Sequence, residues 1–329
     1  MKSGYLTIGE QVTVALARLM QVITHSAPYR WLHRMGFRGR GVVIAAPYVW
    51  LLLFFAIPFV IVLKIAFSST VLGIPPYAPL IEWMGEKALA IRVNLANFDF
   101  LLSDPLYFNA YLYSAKVAAV STLLCLLLGY PMAYGIARAT PAWRNVLLMM
   151  VILPFWTSFL LRVYAWIGIL RTDGLINDLL LALRIIDEPL VMLQTDFAVY
   201  VGIVYSYLPF MVMPLYANLE KMDLTLLEAA EDLGCRPWKA FLRITLPLSV
   251  PGIVAGSMLV FIPAVGEFVI PELLGGPDQL MIGRVLWNEF FNNRDWPVAS
   301  AVAVAMLVLL VLPIMIFQYI QGRQMTAHR

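Results

Sequence analysis

Two charged side chains, Arg162 and Glu267, fall well inside long apolar stretches, as do Lys64 and Lys116, while Glu272 sits at the end of one. A charge near the centre of a bilayer costs about 2.5–3.5 kcal/mol on insertion scales, so such residues face protein or a water-filled path. Three arrangements fit. Arg162 and Glu267 can pair and hold two helices in register. Arg162 can instead snorkel to the headgroups. Glu267 can line a route and meet the ammonium of a passing cation. Phe155, Trp156, Tyr164, Trp166 and Phe268 lie near the two charges in sequence, and their ring faces could hold an organic cation at about 0.5–2 kcal/mol per contact. Pro263 and Gly266 precede the acid. The proline leaves the Leu259 carbonyl without its helical partner, and a broken helix at membrane depth needs protein or a cavity beside it.

A second constellation lies in the polar segment LTLLEAAEDLGCRPWKAFLRITLP, residues 224–247. Thr225 with Glu228 three residues later forms a capping box, which opens a short helix. Gly234 is placed to end it in the left-handed conformation. Pro237 can open a second short helix, and Pro247 and Pro251 mark the turn into the next apolar run. With Ala229 and Ala230 small and Glu228, Glu231 and Asp232 charged, this helix–turn–helix has the shape to enter a groove on a partner. Composition alone favours an ordinary amphipathic interfacial loop.

The elements that position these residues are membrane helices. The chain is 61% apolar and 13% charged, with a mean hydropathy of +0.81, whereas soluble domains hold about 45–50% and about 25%. A crossing needs about 20 apolar residues, and six runs qualify: 42–67, 108–137, 145–170, 197–219, 251–273 and 297–321. They are continuous rather than alternating, which excludes a membrane β-barrel. The expected fold class is all-α, a polytopic membrane protein with six transmembrane helices.

Lys and Arg gather in the tail before the first run, in the loops holding Arg138 and Arg144 and Lys221 to Arg243, and at the C-terminus. Positive residues mark the cytoplasmic side, so both termini are expected there, and the opposite loops carry an excess of carboxylates. The expected organisation is an N-terminal tail over 1–41, a membrane domain over 42–321 containing the loop at 220–250, and a C-terminal tail over 322–329. Residues 12–23 are apolar but too short to cross, and suit an interfacial helix. The arginine-rich stretch before the first run does not suit a cleaved signal peptide. Gly252 and Gly256 permit a close helix approach, and Asp295 is placed to cap the last span.

Two cysteines, Cys125 and Cys235, and three histidines near the termini leave no basis for a disulfide framework or a metal centre. No GxxxxGK[ST] phosphate loop is present, and Gly-Lys occurs nowhere, so energy from ATP would have to come from another subunit.

The run Glu228-Ala229-Ala230, Gly234, and Ile244-Thr245-Leu246-Pro247 resembles the EAA loop of ABC importer permeases. Within that superfamily the chain looks most like the polyamine permeases for putrescine and spermidine. The stretches that carry this are LPFWTS at 153–158 with RVYAW at 162–166, PAVGEFVIP at 263–271 and NNRDWP at 292–297. The resemblance implies a MetI-like permease fold in a bacterial inner membrane. It also implies a second permease subunit, two cytoplasmic ATPase subunits that bind ATP and Mg, and a periplasmic binding protein. Glu228, Ala229, Ala230, Gly234, Leu246 and Pro247 would belong to the ATPase-coupling loop. Glu267, Arg162, Trp156, Tyr164, Trp166 and Phe268 are the substrate-pathway candidates. The same machinery with another cargo, such as ferric ion or an amino acid, is the nearest alternative. A secondary transporter would show inverted-repeat halves, and no internal repeat is evident.

Overall fold

The computed structural model describes residues 39–83 and 89–327. The expected interfacial helix at 12–23 and the tail ahead of residue 39 lie outside the described residues. The chain divides into two units between Lys64 and Ile65.

The first unit holds α1 (Gly39–Leu51), a π-helical turn (Leu52–Ala56) and most of α2 (Ile57–Ala66). Pro58 removes the N–H that the Phe54 carbonyl would use, and the widened turn lies just before it. Together these pieces give a continuous apolar helix, Val43–Ala66, of 24 residues.

The second unit begins with a short antiparallel pair, β1 (Ile81–Trp83) and β2 (Leu89–Ile91), with Ile81 opposite Ile91. This pair is a small exception to an otherwise helical chain. Then come α3 (Ala96–Ser103), α4 (Pro105–Arg138), α5 (Pro141–Ile152), α6 (Phe159–Leu170), α7 (Leu175–Ala182) and α8 (Asp196–Leu219). After these follow α9 (Thr225–Asp232), α10 (Pro237–Ala240), a π-helical turn (Phe241–Thr245), α11 (Leu246–Val265) and α12 (Val269–Leu273). The chain closes with α13 (Ile282–Trp287), a π-helical turn (Asn288–Asn292) and α14 (Trp296–Ala327).

α4, α8 and α11 pack against one another and form the core. Lipid offers helices no hydrophobic reason to associate, so small residues that let backbones approach supply the contact. α4 buries Ala110, Ser114, Ala118, Ser121, Cys125, Gly129 and Ala133 at helical spacing. α11 buries Ser249, Gly252, Gly256, Val260 and Ala264. The close approach expected at Gly252 and Gly256 is present: a Cβ on Gly256 would lie 2.8 Å from Met211 Sδ and 3.1 Å from Met211 O on α8.

Two spans differ from their sequence reading. The third was expected as one run over 145–170, but α5 and α6 are separated by a 3-10 turn (Leu153–Trp156) and bent by 91°. Pro154 withdraws one backbone donor, and Thr157 turns extended while its hydroxyl donates to Pro154 O at 2.8 Å. The fifth was expected over 251–273. Its helix instead runs continuously over Pro237–Val265, through Pro247 and Pro251, and stops at Gly266. By length and composition four described helices can cross a membrane, or five if the bent pair is one span. The expected sixth span corresponds to α14, of which Trp296–Val311 is the apolar part among the described residues. Its N-terminus is held as expected, with Val298 N donating to Asp295 Oδ1 at 3.1 Å.

Replacing Gly256 by valine should cost about 1–3 kcal/mol through overpacking, lowering the thermal midpoint of the purified protein in detergent. Gly135, where a Cβ meets nothing within 4 Å, should tolerate alanine with no loss. Equal midpoints for the two variants would contradict this packing.

Candidate functional site

The polar loop has well-defined ends. α9 starts one residue earlier than a capping box at Thr225 requires. Thr225 is its first helical residue, Leu224 is already helical, and Asp223 Oδ1 accepts the Thr225 N–H at 3.0 Å. The Asp223 side chain thus meets the first free N–H of the helix, Thr225's own, while Leu224 O takes the Leu227 and Glu228 N–H groups that a Thr225 cap would have served. Gly234 ends the helix as expected, at φ +75°. Cys235 N donates to Ala230 O at 2.9 Å and Gly234 N to Glu231 O at 2.8 Å, the Schellman pattern. Nothing lies within 4 Å of a Cβ at Gly234, so the backbone conformation alone demands glycine. Pro237 opens α10 at its first turn.

The loop's outer surface is uncovered in the chain. Glu228, Ala229, Glu231, Asp232 and Gly234 are exposed, and so are Leu226, Leu233 and Trp238. Ala230 and Ala240 face inward. Leu246 is half-buried at the start of α11, and Pro247 beside it is exposed. Large apolar side chains flanked by carboxylates, on a loop with rigid ends, form a surface able to dock into a partner.

The second group of candidates is arranged around Glu267. α11 ends at Val265, and the buried Glu267 turns its carboxylate onto the start of α12. Glu267 Oε1 accepts from the N–H groups of Phe268 (3.2 Å), Val269 (3.0 Å) and Ile270 (3.4 Å). Its Oε2 accepts from the Tyr207 hydroxyl on α8. The acid thus replaces the carbonyls that a continuous helix would have offered.

Arg162 does not pair with it. The bend after Trp156 takes the helix that carries Arg162 off the line of α5. The Arg162 guanidinium instead lies over the rings of Phe155 (5.1 Å) and Phe159 (5.7 Å). Its Nε and Nη1 are buried without a hydrogen-bond partner. The two charges stand at opposite ends of one aromatic row: Tyr207 near Phe210 (6.0 Å), and Phe210 edge-on to Phe155 (5.2 Å).

The other aromatic candidates divide. Phe268 stacks on Trp287 at 4.3 Å, and Trp287 meets Phe291 at 4.1 Å. Trp166 packs edge-on against Tyr205 at 5.4 Å. Trp156 and Tyr164 are exposed, at 75% and 56%. Tyr207 and Phe210 are the site members that sequence reasoning missed. They lie some sixty positions from Glu267, and the only hint was a polar-tipped ring beside Pro209 in a span. Among the described residues no His, Cys, Asp and Glu group could hold a metal.

Glu267→Ala should cost about 1–3 kcal/mol, because buried donors lose their acceptor. Glu267→Gln, which keeps an acceptor oxygen, should cost less. Thermal unfolding in detergent checks the order, and equal losses would contradict the capping role.

Residues 125–327 match the family described as binding-protein-dependent transport system inner membrane component. The spermidine/putrescine transport system permease protein PotB of Haemophilus influenzae is 38% identical over 276 residues, covering 84% of this chain and 92% of that protein. PotB of Escherichia coli K12 is 45% identical over 224 residues, covering 68% and 81%. A chain of the bacterial alginate ABC transporter, solved with an alginate pentasaccharide-bound periplasmic protein, superposes with a TM-score of 0.67 at 16% identity. That match covers 91% of this chain and 98% of that one and establishes the shared fold. The chain is therefore a member of the binding-protein-dependent transport system inner-membrane component family, the permease subunits of ABC importers.

Proposed function

We propose that this chain is the permease subunit of an ATP-driven importer of putrescine- or spermidine-type polyamines in a bacterial inner membrane, with both termini cytoplasmic. A periplasmic binding protein delivers the substrate, a second permease subunit completes the pathway, and two ATPase subunits bind ATP and Mg. Their closure is passed through the 220–250 loop and switches the pathway between outward and inward access.

The observation that carries this reading is the loop itself. It is a short helix with an Asp223 start and a left-handed Gly234 stop, and it displays Leu226, Glu228, Leu233 and Trp238 to solvent. Such a surface suits a groove on a soluble subunit, and the absence of a phosphate loop in the sequence fits a division of labour with a separate ATPase.

Three features support a cationic cargo. The named relatives are spermidine/putrescine permeases. The loops on the proposed periplasmic side are acidic. Glu267 is a buried carboxylate with four donors and no basic side chain paired with it. A carboxylate fixed by dipoles keeps its negative field, which favours an ammonium in the low-dielectric path.

Glu228→Lys and Gly234→Leu should each abolish the stimulation of ATPase activity by loaded binding protein in the assembled, reconstituted complex. Membrane insertion should be unchanged. A leucine at Gly234 would also strain the left-handed turn by roughly 1–2 kcal/mol. Full stimulation in both variants would contradict the coupling role.

A further inference from the structure

Both arms of the loop are fastened to the C-terminal part of α4, the leading arm at Ala137 and Ala139 and the trailing arm at Tyr130 and Tyr134. On the leading arm, Glu220 follows the end of α8 and stands three residues before Asp223, which starts α9. Its Oε1 accepts from Arg144 Nη1 at 2.8 Å. Arg144 Nη2 reaches back to the Ala137 and Ala139 carbonyls, at 3.3 and 3.4 Å. One guanidinium therefore ties the end of α4, the first turn of α5 and the root of the loop. A cation at a helix C-terminus also meets the negative end of the helix dipole.

On the trailing arm, Phe241 opens the π-helical turn between α10 and α11 and is edge-on to two α4 rings, Tyr130 at 5.7 Å and Tyr134 at 5.9 Å. The Tyr130 hydroxyl is 2.9 Å from Ser249 Oγ on α11. Pro131 lies between the two tyrosines, inside α4. It withdraws the donor that Leu127 O would have used and makes that turn the weak point of the helix.

We propose that the last two turns of α4, beyond Pro131, form one rigid piece with the loop and carry its movement into the membrane core. Arg144 and Phe241 are the positioning residues of the two joints. Displacement enters α4 through them, and the helix yields at Pro131, while the small-residue packing of α4 against α8 and α11 holds the remainder. A loop hinged only on its own span would need neither joint. This inference rests on the coupling reading given above and adds the route by which force leaves the loop.

The test is substrate imported per ATP hydrolysed by the complete transporter in proteoliposomes, with Glu228→Lys as reference. Arg144→Gln, Glu220→Gln and Phe241→Ala should each lower that ratio by about tenfold while ATP hydrolysis persists, and the Arg144→Gln/Glu220→Gln double variant should be no worse than its worse single. Phe241→Tyr should recover most of the ratio, which a general loss of stability would not produce selectively. If Glu228→Lys uncouples but the joint variants stay within about twofold of the unaltered protein, the route is wrong and the coupling reading stands. If Glu228→Lys also leaves the ratio intact, the coupling reading fails first. Should the joint variants not assemble, spin labels on Cys235 and on Ala139→Cys decide the question. Their separation should stay constant between nucleotide-free and nucleotide-trapped states, and a change of several ångströms would overturn the rigid piece.

Discussion

Lipid supplies no hydrogen bonds, so a helix can break at membrane depth only where the protein itself meets the freed backbone groups. Several buried polar side chains meet backbone groups freed where helices begin, end or break. Glu267 receives three N–H groups where α11 gives way to α12. The fully buried Ser114 accepts the Ile282 N–H at 2.7 Å, at the start of α13. Asn97 donates to the Ala66 and Ser68 carbonyls as α2 ends, both at 2.8 Å. Asn177, also fully buried, exchanges two hydrogen bonds with Leu190. Apolar substitution at these buried positions would leave backbone groups without a partner.

The same constraint recasts the two intramembrane charges. Glu267 is first a cap, and its position is set by backbone donors and by Tyr207 rather than by a basic partner. Arg162 is held by ring faces. The two stand at the ends of one row of rings, through Tyr207, Phe210 and Phe155. A carboxylate already oriented by its own donors needs no reorganisation to attract an ammonium. The structural role and the proposed transport role are therefore compatible at one residue.

Much of this was legible in the sequence. Long apolar runs located the helices, glycine at four-residue spacing marked a close helix approach on α11, and Gly234 located the end of α9. These are local signals, each acting within a turn or two. What was hidden is relational. The bend at Thr157 depends on a proline and a hydroxyl acting together, so a hydropathy count read through it as one span. That Arg162 rests on Phe155 and Phe159 rather than on Glu267 could not be reached by counting residues along straight helices. Tyr207 and Phe241 gain their significance from partners sixty or more positions away. At the start of α9, Asp223 accepts the Thr225 N–H and moves the helix start one residue ahead of the capping box, which the pattern alone did not reveal.

The account turns on physical contact between the α9 loop and a separate ATP-hydrolysing subunit. Cys235 lies in that loop and is partly accessible, while Cys125, the other cysteine of the chain, is buried. A short thiol-directed photo-crosslinker attached to Cys235 in the unaltered, assembled complex therefore reports on the contact without any substitution. A covalent product joining this chain to the ATPase subunit, with a yield that changes between nucleotide-free and nucleotide-trapped states, is the predicted result. A complex that hydrolyses ATP and transports substrate yet gives no such product would contradict it.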